Sequence, residues 1–276
     1  MPQGFDPIGT VQQAITSLLQ TQEPTFIAIG TRMFLSFATI VLVWQGIRIM
    51  LSARPVGDQM FGFAKLVLMI AFGYAMITYY ESPIPGLGIS FSNLITDHTG
   101  YLASLLSARS VQNAQTSLNS LWNALEQPSV WSLLANLLYW LMLIVIALAQ
   151  FALMFVVSFG LIASAVCALL GPLFVPFFIV PTMEWMFWGW LKSFIQYSFV
   201  PVVANAYIFI FEHFLSGYLQ TLPPGIRLED QLLYGVHAVM VLLTFTVGVL
   251  LVPSLTASIF SGRSGESVLP GRIFGV

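Results

Sequence analysis

Residues 168–194 read ALLGPLFVPFFIVPTMEWMFWGWLKSF. Three prolines, Pro172, Pro176 and Pro181, interrupt a run that otherwise has the composition of a bilayer core, and an aromatic cluster follows between Glu184 and Lys192. Proline supplies no N–H and disfavours helix at the residue before it, so Gly171 and Pro172 are expected to end a long helix. Pro176 and Pro181 then keep the backbone irregular through Val180, and Thr182 offers an N-cap to the next helix. Irregular backbone at membrane depth persists only where protein encloses it or water reaches it. The segment therefore predicts a sheltered turn over residues 171–182 between two long helices.

The flanking sequence fits that setting. Hydrophobic residues make up 58% of the 276 positions and charged residues 7%, against about 25% charged in soluble domains. Mean hydropathy is +0.88. The fold class read from this is all-α, a polytopic bundle of transmembrane helices. Five apolar segments, near 26–51, 60–80, 131–158, 184–215 and 231–256, each meet the roughly 20 residues that a bilayer core requires. The third is unusually long. Apolar character runs from Val130 to Leu170, about 60 Å as continuous helix. A hairpin there would have to turn at Ser158-Phe159-Gly160, and one long helix is the favoured reading.

Two amphipathic stretches lie outside the spans. In residues 5–22, Asp6 and Pro7 suit a helix start, and Ile8, Val11, Ile15, Leu18 and Leu19 share one helical face. Residues 81–129 open with the turn-rich ESPIPGLGIS, after which Val111, Ala114, Leu118, Leu121 and Leu125 recur at helical spacing. With the N-terminus outside, Arg48, Arg54, Lys65, Lys192, Arg263 and Arg272 fall on the inner side and only Arg32, Arg109 and Arg227 on the outer, which the positive-inside rule favours. The resulting divisions are 1–25 (outer amphipathic helix), 26–80 (two spans), 81–129 (outer loop), 130–256 (membrane core) and 257–276 (inner tail). Residues 1–25 have no Lys or Arg and no continuous apolar core, so no cleavable leader is expected.

The chemistry available is sparse. No Gly-Lys-Ser/Thr loop exists for nucleotide phosphates, and His98, His213 and His237 lack metal-ligand spacing. No catalytic residue, cofactor or metal is expected. Cys167, the sole cysteine, reads as a small buried hydrophobe. A net charge of −2 gives no basic footprint for gripping a polyanion. Arg32, Glu184, Lys192, Glu212 and His213 lie near predicted span ends, where charges either serve function or anchor the helix at the interface. Trp185, Trp188 and Trp190 suit an interfacial belt. Gly160, Ser164 and Ala168, spaced by four, would let helices pack closely, with Trp190 as a further packing position.

A Leu170-Gly171-Pro172-Leu173-Phe174 turn between long spans, followed by Gly189-Trp190-Leu191, resembles the TrbL family, which includes the sixth component of VirB-type systems. With span arrangement, outer loop and tail, the resemblance covers residues 26–260. The chain departs from many members in having only residues 257–276 after its last span. The resemblance implies a non-enzymatic inner-membrane subunit of type IV secretion and conjugation machines. It implies a homo-oligomeric ring, taken as a pentamer, surrounded by lipid. The implied partners are minor pilin or stalk subunits outside, met by the Ile15, Leu18 and Leu19 face, and secretion ATPases inside, with DNA or protein as cargo. The competing class, a small-solute channel or transporter, would need a polar path within one subunit, and no span carries a carboxylate at mid-depth.

Overall fold

A computed structural model describes residues 7–51, 56–107, 110–125, 127–128, 132–220 and 232–261. It contains α1 (Pro7–Leu51), α2 (Val56–Thr78), α3 (Phe91–Ser107), α4 (Ser110–Ala124), α5 (Leu133–Phe174), a 3-10 helix (Val175–Ile179), α6 (Glu184–Gln220) and α7 (Leu232–Ser261). Five of these helices, α1, α2, α5, α6 and α7, are long and apolar enough to cross a membrane. The all-α polytopic class read from composition is the class observed. The long apolar run after residue 130 is one continuous helix of 42 residues, about 63 Å in length.

Three sequence expectations change. The helix does not stop at Gly171-Pro172 but continues to Phe174, and a 3-10 turn carries it on to Ile179. Thr182 does not cap α6, which begins at Glu184; Met183 takes that place, its N–H donating to Val180 O at 2.9 Å and its carbonyl accepting from Met186. The N-terminal amphipathic stretch and the first span form a single helix, α1, because Pro24 removes one ladder hydrogen bond without ending it. The expected Asp6 cap and the residues of the inner tail lie outside the described residues.

The chain divides into two compact units. One comprises Gly9–His98 with Ile162–Ile195. Its core gathers Phe34 and Ala38 of α1, Met76, Ile77 and Tyr80 at the end of α2, Ala168 of α5, Val175 and Ile179, and Phe187, Trp190 and Phe194 of α6. Between α2 and α3 the backbone folds back tightly. Gly86 and Gly88, at φ of 89° and 72°, take the left-handed conformations that this turn requires, and Leu87 and Gly88 N–H both donate to Ile84 O. Ser90 Oγ accepts from Asn93 N–H at the start of α3, and Phe91 and Ser92 N–H donate to the carbonyls of Tyr79 and Tyr80.

The other unit contains Thr99–Leu161 and Gln196–Val276. The amphipathic pattern read at 111–125 is realised in α4, where Ala114, Leu118 and Leu121 are buried together with Leu125 just beyond it. They join buried residues of α5 from Ala135 to Val157, of α6 from Val200 to Leu215 and of α7 from Ala238 to Val252. Two glycines permit close helix contacts here. A Cβ on Gly160 would lie 2.8 Å from Pro201 Cδ, and one on Gly248 would overlap the Tyr207 hydroxyl.

Candidate functional site

The most constrained locus is the last two turns of α5. Pro172 sits inside the helix and has no N–H, so the Ala168 carbonyl four residues earlier loses its ladder donor. Tyr80, fully buried, supplies a replacement: its hydroxyl donates to Ala168 O at 2.5 Å. One residue earlier, the indole N–H of Trp190 donates to Cys167 O at 2.8 Å. An unmet buried carbonyl costs about 1–3 kcal/mol, so the Tyr80 hydroxyl explains why the helix survives its proline; the Trp190 indole is a second donor to a carbonyl that the ladder already serves through Gly171.

The small residues around this point follow from the same geometry. A Cβ on Gly171 would overlap the Tyr80 hydroxyl and stand 2.7 Å from Trp190 Cζ2. On α1, a Cβ on Gly30 would overlap the Pro172 carbonyl. On α2, a Cβ on Gly73 would come within 2.7 Å of Phe34 Cε2. The Trp190 ring stacks on Phe174 (centroids 6.4 Å apart, planes at 3°) and on Phe194 (5.7 Å, 24°). Glu23, itself buried, hydrogen-bonds Glu81 immediately after Tyr80. Helices α1, α2, α5 and α6 thus meet at one proline.

The residues singled out from the sequence are not all in one place. Gly171, Pro172 and Pro176 are buried at the node, and Pro181 is exposed in the turn before α6. Trp190 is buried at 5% exposure rather than lying in an interfacial belt, because its N–H has a carbonyl to satisfy; Trp185 and Trp188 are exposed. Glu184 accepts a hydrogen bond from Trp188 Nε1 at 2.7 Å across one turn of α6. Arg32, Lys192 and His213 are exposed and Glu212 half-buried. Gly160 packs in one unit, while Ser164 and Ala168, both buried, fall in the other. On α1, Leu18 is exposed and Ile15 and Leu19 are half-buried. Among the described residues, no group of three His, Cys, Asp or Glu side chains could hold a metal ion. The arrangement orders backbone.

Tyr80, Gly171, Pro172 and Trp190 of the node fall within a family match, and Gly30 of α1 lies ahead of it. The family described as TrbL/VirB6 plasmid conjugal transfer protein matches residues 38–253, which include α2 to α6 entire and most of α7. The chain belongs to the TrbL/VirB6 family. No curated protein matches it closely enough to serve as a relative. Membership makes it a component of conjugal transfer and type IV secretion, in a family of structural subunits, and with its five apolar helices it is a multi-pass protein of the inner membrane. Tyr80, Gly30 and Gly73 escaped the sequence reading. The signal for Tyr80 lay in Pro172 itself, since an interior proline announces an orphan carbonyl, although nothing in the sequence says which donor fills it.

Proposed function

We propose that this chain is the ring-forming inner-membrane subunit of a type IV secretion apparatus, on which a stalk or pilus is built and past which DNA or protein leaves the cell. The family match carries the reading. The proline node supports it, because helices fastened at one point give one unit of the chain the fixed surface that a repeated subunit contact needs. In this reading five copies close the ring, with the N-terminus periplasmic and the C-terminus cytoplasmic. The Ile15, Leu18 and Leu19 face of α1 receives minor pilin subunits. Secretion ATPases and other inner-membrane subunits bind from the cytoplasmic side. Arg32 and Glu212, repeated by symmetry, become belts of like charge at the outer rim, where water solvates them.

Gene deletion with complementation tests the proposal. Deletion should abolish transfer of DNA or effector to recipient cells while the ATPases remain present and active, and cross-linking in cells should trap self-contacts and stalk subunits. A deletion strain that transfers normally but fails to move a small solute would show the chain to be a transporter instead.

A further inference from the structure

Within the unit formed by Thr99–Leu161 and Gln196–Val276, the contacts between neighbouring helices fix the level at which each runs. Helix α4 lies antiparallel to α5: Gln115 Nε2 meets Met154 Sδ at 3.4 Å, and Gln150 Nε2 donates to Asn119 Oδ1 at 2.9 Å. Helix α5 in turn meets α6 at Gly160 and Pro201, and α6 meets α7 where Tyr207 faces Gly248 and Phe211 packs on Phe245 with ring centroids 4.6 Å apart. Counting along these antiparallel helices places Gln115 level with Met154, Tyr207 and Gly248, and Asn119 level with Gln150, Phe211 and Phe245. The apolar span of α7 runs Gly235–Phe260, so Val247 and Gly248 are its middle. The middle of α4 is therefore level with the middle of the α7 span, while beside α6, whose span is Glu184–Tyr218, α4 runs along the C-terminal half; its 15 residues, about 22 Å long, stay within both spans.

An outer-surface position for α4, as the sequence suggested, does not fit this level. Its inward face is apolar and buried, but its outward face carries Gln112, Asn113, Thr116, Asn119, Ser120 and Asn123, all exposed, with Trp122 the one large apolar side chain exposed among them. Thr116 and Ser120 donate to carbonyls of their own helix and Asn119 accepts from Gln150, but lipid is a poor neighbour for the exposed amides of Gln112, Asn113 and Asn123. The flanking helices show what a lipid-facing surface looks like in this chain. On α5, Leu137, Ile144 and Phe151 are each 61% exposed, and on α7 Met240 is 61% and Val247 54% exposed.

We infer that the outward face of α4 lines a water-filled passage at bilayer depth. Its wall is uncharged, since no acidic or basic residue occurs from Ser110 to Ala124. Amides and hydroxyls hydrogen-bond water and a passing hydrated chain without the fixed charge that would hold a polyanion. The inference rests on this unit's helices crossing the bilayer, and it holds whether or not the subunits close a ring.

The test uses single cysteines at Asn113, Thr116 and Ser120 in a Cys167→Ser background, with the apparatus assembled in its own cell envelope. Met240→Cys and Val247→Cys serve as lipid-side references and Ser82→Cys, in the exposed turn after α2, as the water-side one. Each variant is first confirmed to accumulate in the membrane at the parent level. A cationic, water-borne methanethiosulfonate should modify the three α4 positions at rates comparable to Ser82→Cys. It should modify Met240→Cys and Val247→Cys about 100-fold more slowly, because an apolar setting suppresses the thiolate that reacts. Positions on α4 as slow as Val247→Cys would mean that lipid or protein covers the face, overturning the inference. Equal, fast rates at all five would place the unit outside the bilayer and overturn it as well. Neither labelling result depends on transfer activity, so a strain defective in transfer leaves this test intact.

Discussion

Replacing Tyr80 with phenylalanine removes one oxygen and keeps the ring among its buried neighbours. The lost group is the side-chain donor to the Ala168 carbonyl, which Pro172 has already deprived of its ladder partner. Because the site is buried, water does not step in, and the expected loss is the cost of an orphaned carbonyl, about 1–3 kcal/mol. In thermal unfolding of the purified protein in detergent this corresponds to roughly 2–12 °C. The diagnostic is a double-mutant cycle with Pro172→Ala. Alanine restores an N–H to Ala168 O, so in that background Tyr80→Phe should cost much less, giving a coupling of about 1 kcal/mol or more between residues far apart in sequence. If the two effects simply add, to within about 0.5 kcal/mol, Tyr80 is only a packed ring and the account of the node is wrong.

Gly171→Ala should destabilise by about 1–3 kcal/mol, since its methyl meets the Tyr80 hydroxyl and the Trp190 ring; Gly189→Ala, with nothing within 4 Å, should be neutral or slightly stabilising in the same melt. Charged substitutions at Ile15, Leu18 and Leu19 should leave the protein in the membrane at normal levels yet release the stalk subunits in pull-downs, and retention of the stalk would remove this face from the interface. For topology, cysteines at Gln20 and Gly225 in a Cys167→Ser background should react with an impermeant thiol reagent in intact cells. Those at Gly57 and Ser267 should react only after lysis, and the reverse pattern would invert the orientation.

How far the sequence could be read depended on the range of the interaction. Composition and span length are summed over many residues, so the helical membrane class and the unbroken α5 were legible. Helical periodicity is equally local, and Ala114, Leu118, Leu121 and Leu125 are buried where their spacing placed them. The same approach could have found α3, whose start carries a Ser90 cap followed by Phe91, Leu94 and Ile95, but the glycines and prolines just before it drew the reading toward a loop. Pro172 shows where local reading stops. From its neighbours it is a helix breaker, and the break was placed at Gly171 and Pro172. Whether a proline breaks a helix depends on what satisfies the carbonyl it abandons, and here that donor is Tyr80, 88 residues away along the chain. Trp190, a packing position by sequence, is buried, but that its indole donates to the Cys167 carbonyl of another helix is likewise beyond local reading. The level of α4 is of this kind too. Its amphipathic pattern says that one face is buried and one polar, and only the pairings Gln115–Met154 and Asn119–Gln150 set that polar face beside the middle of a span.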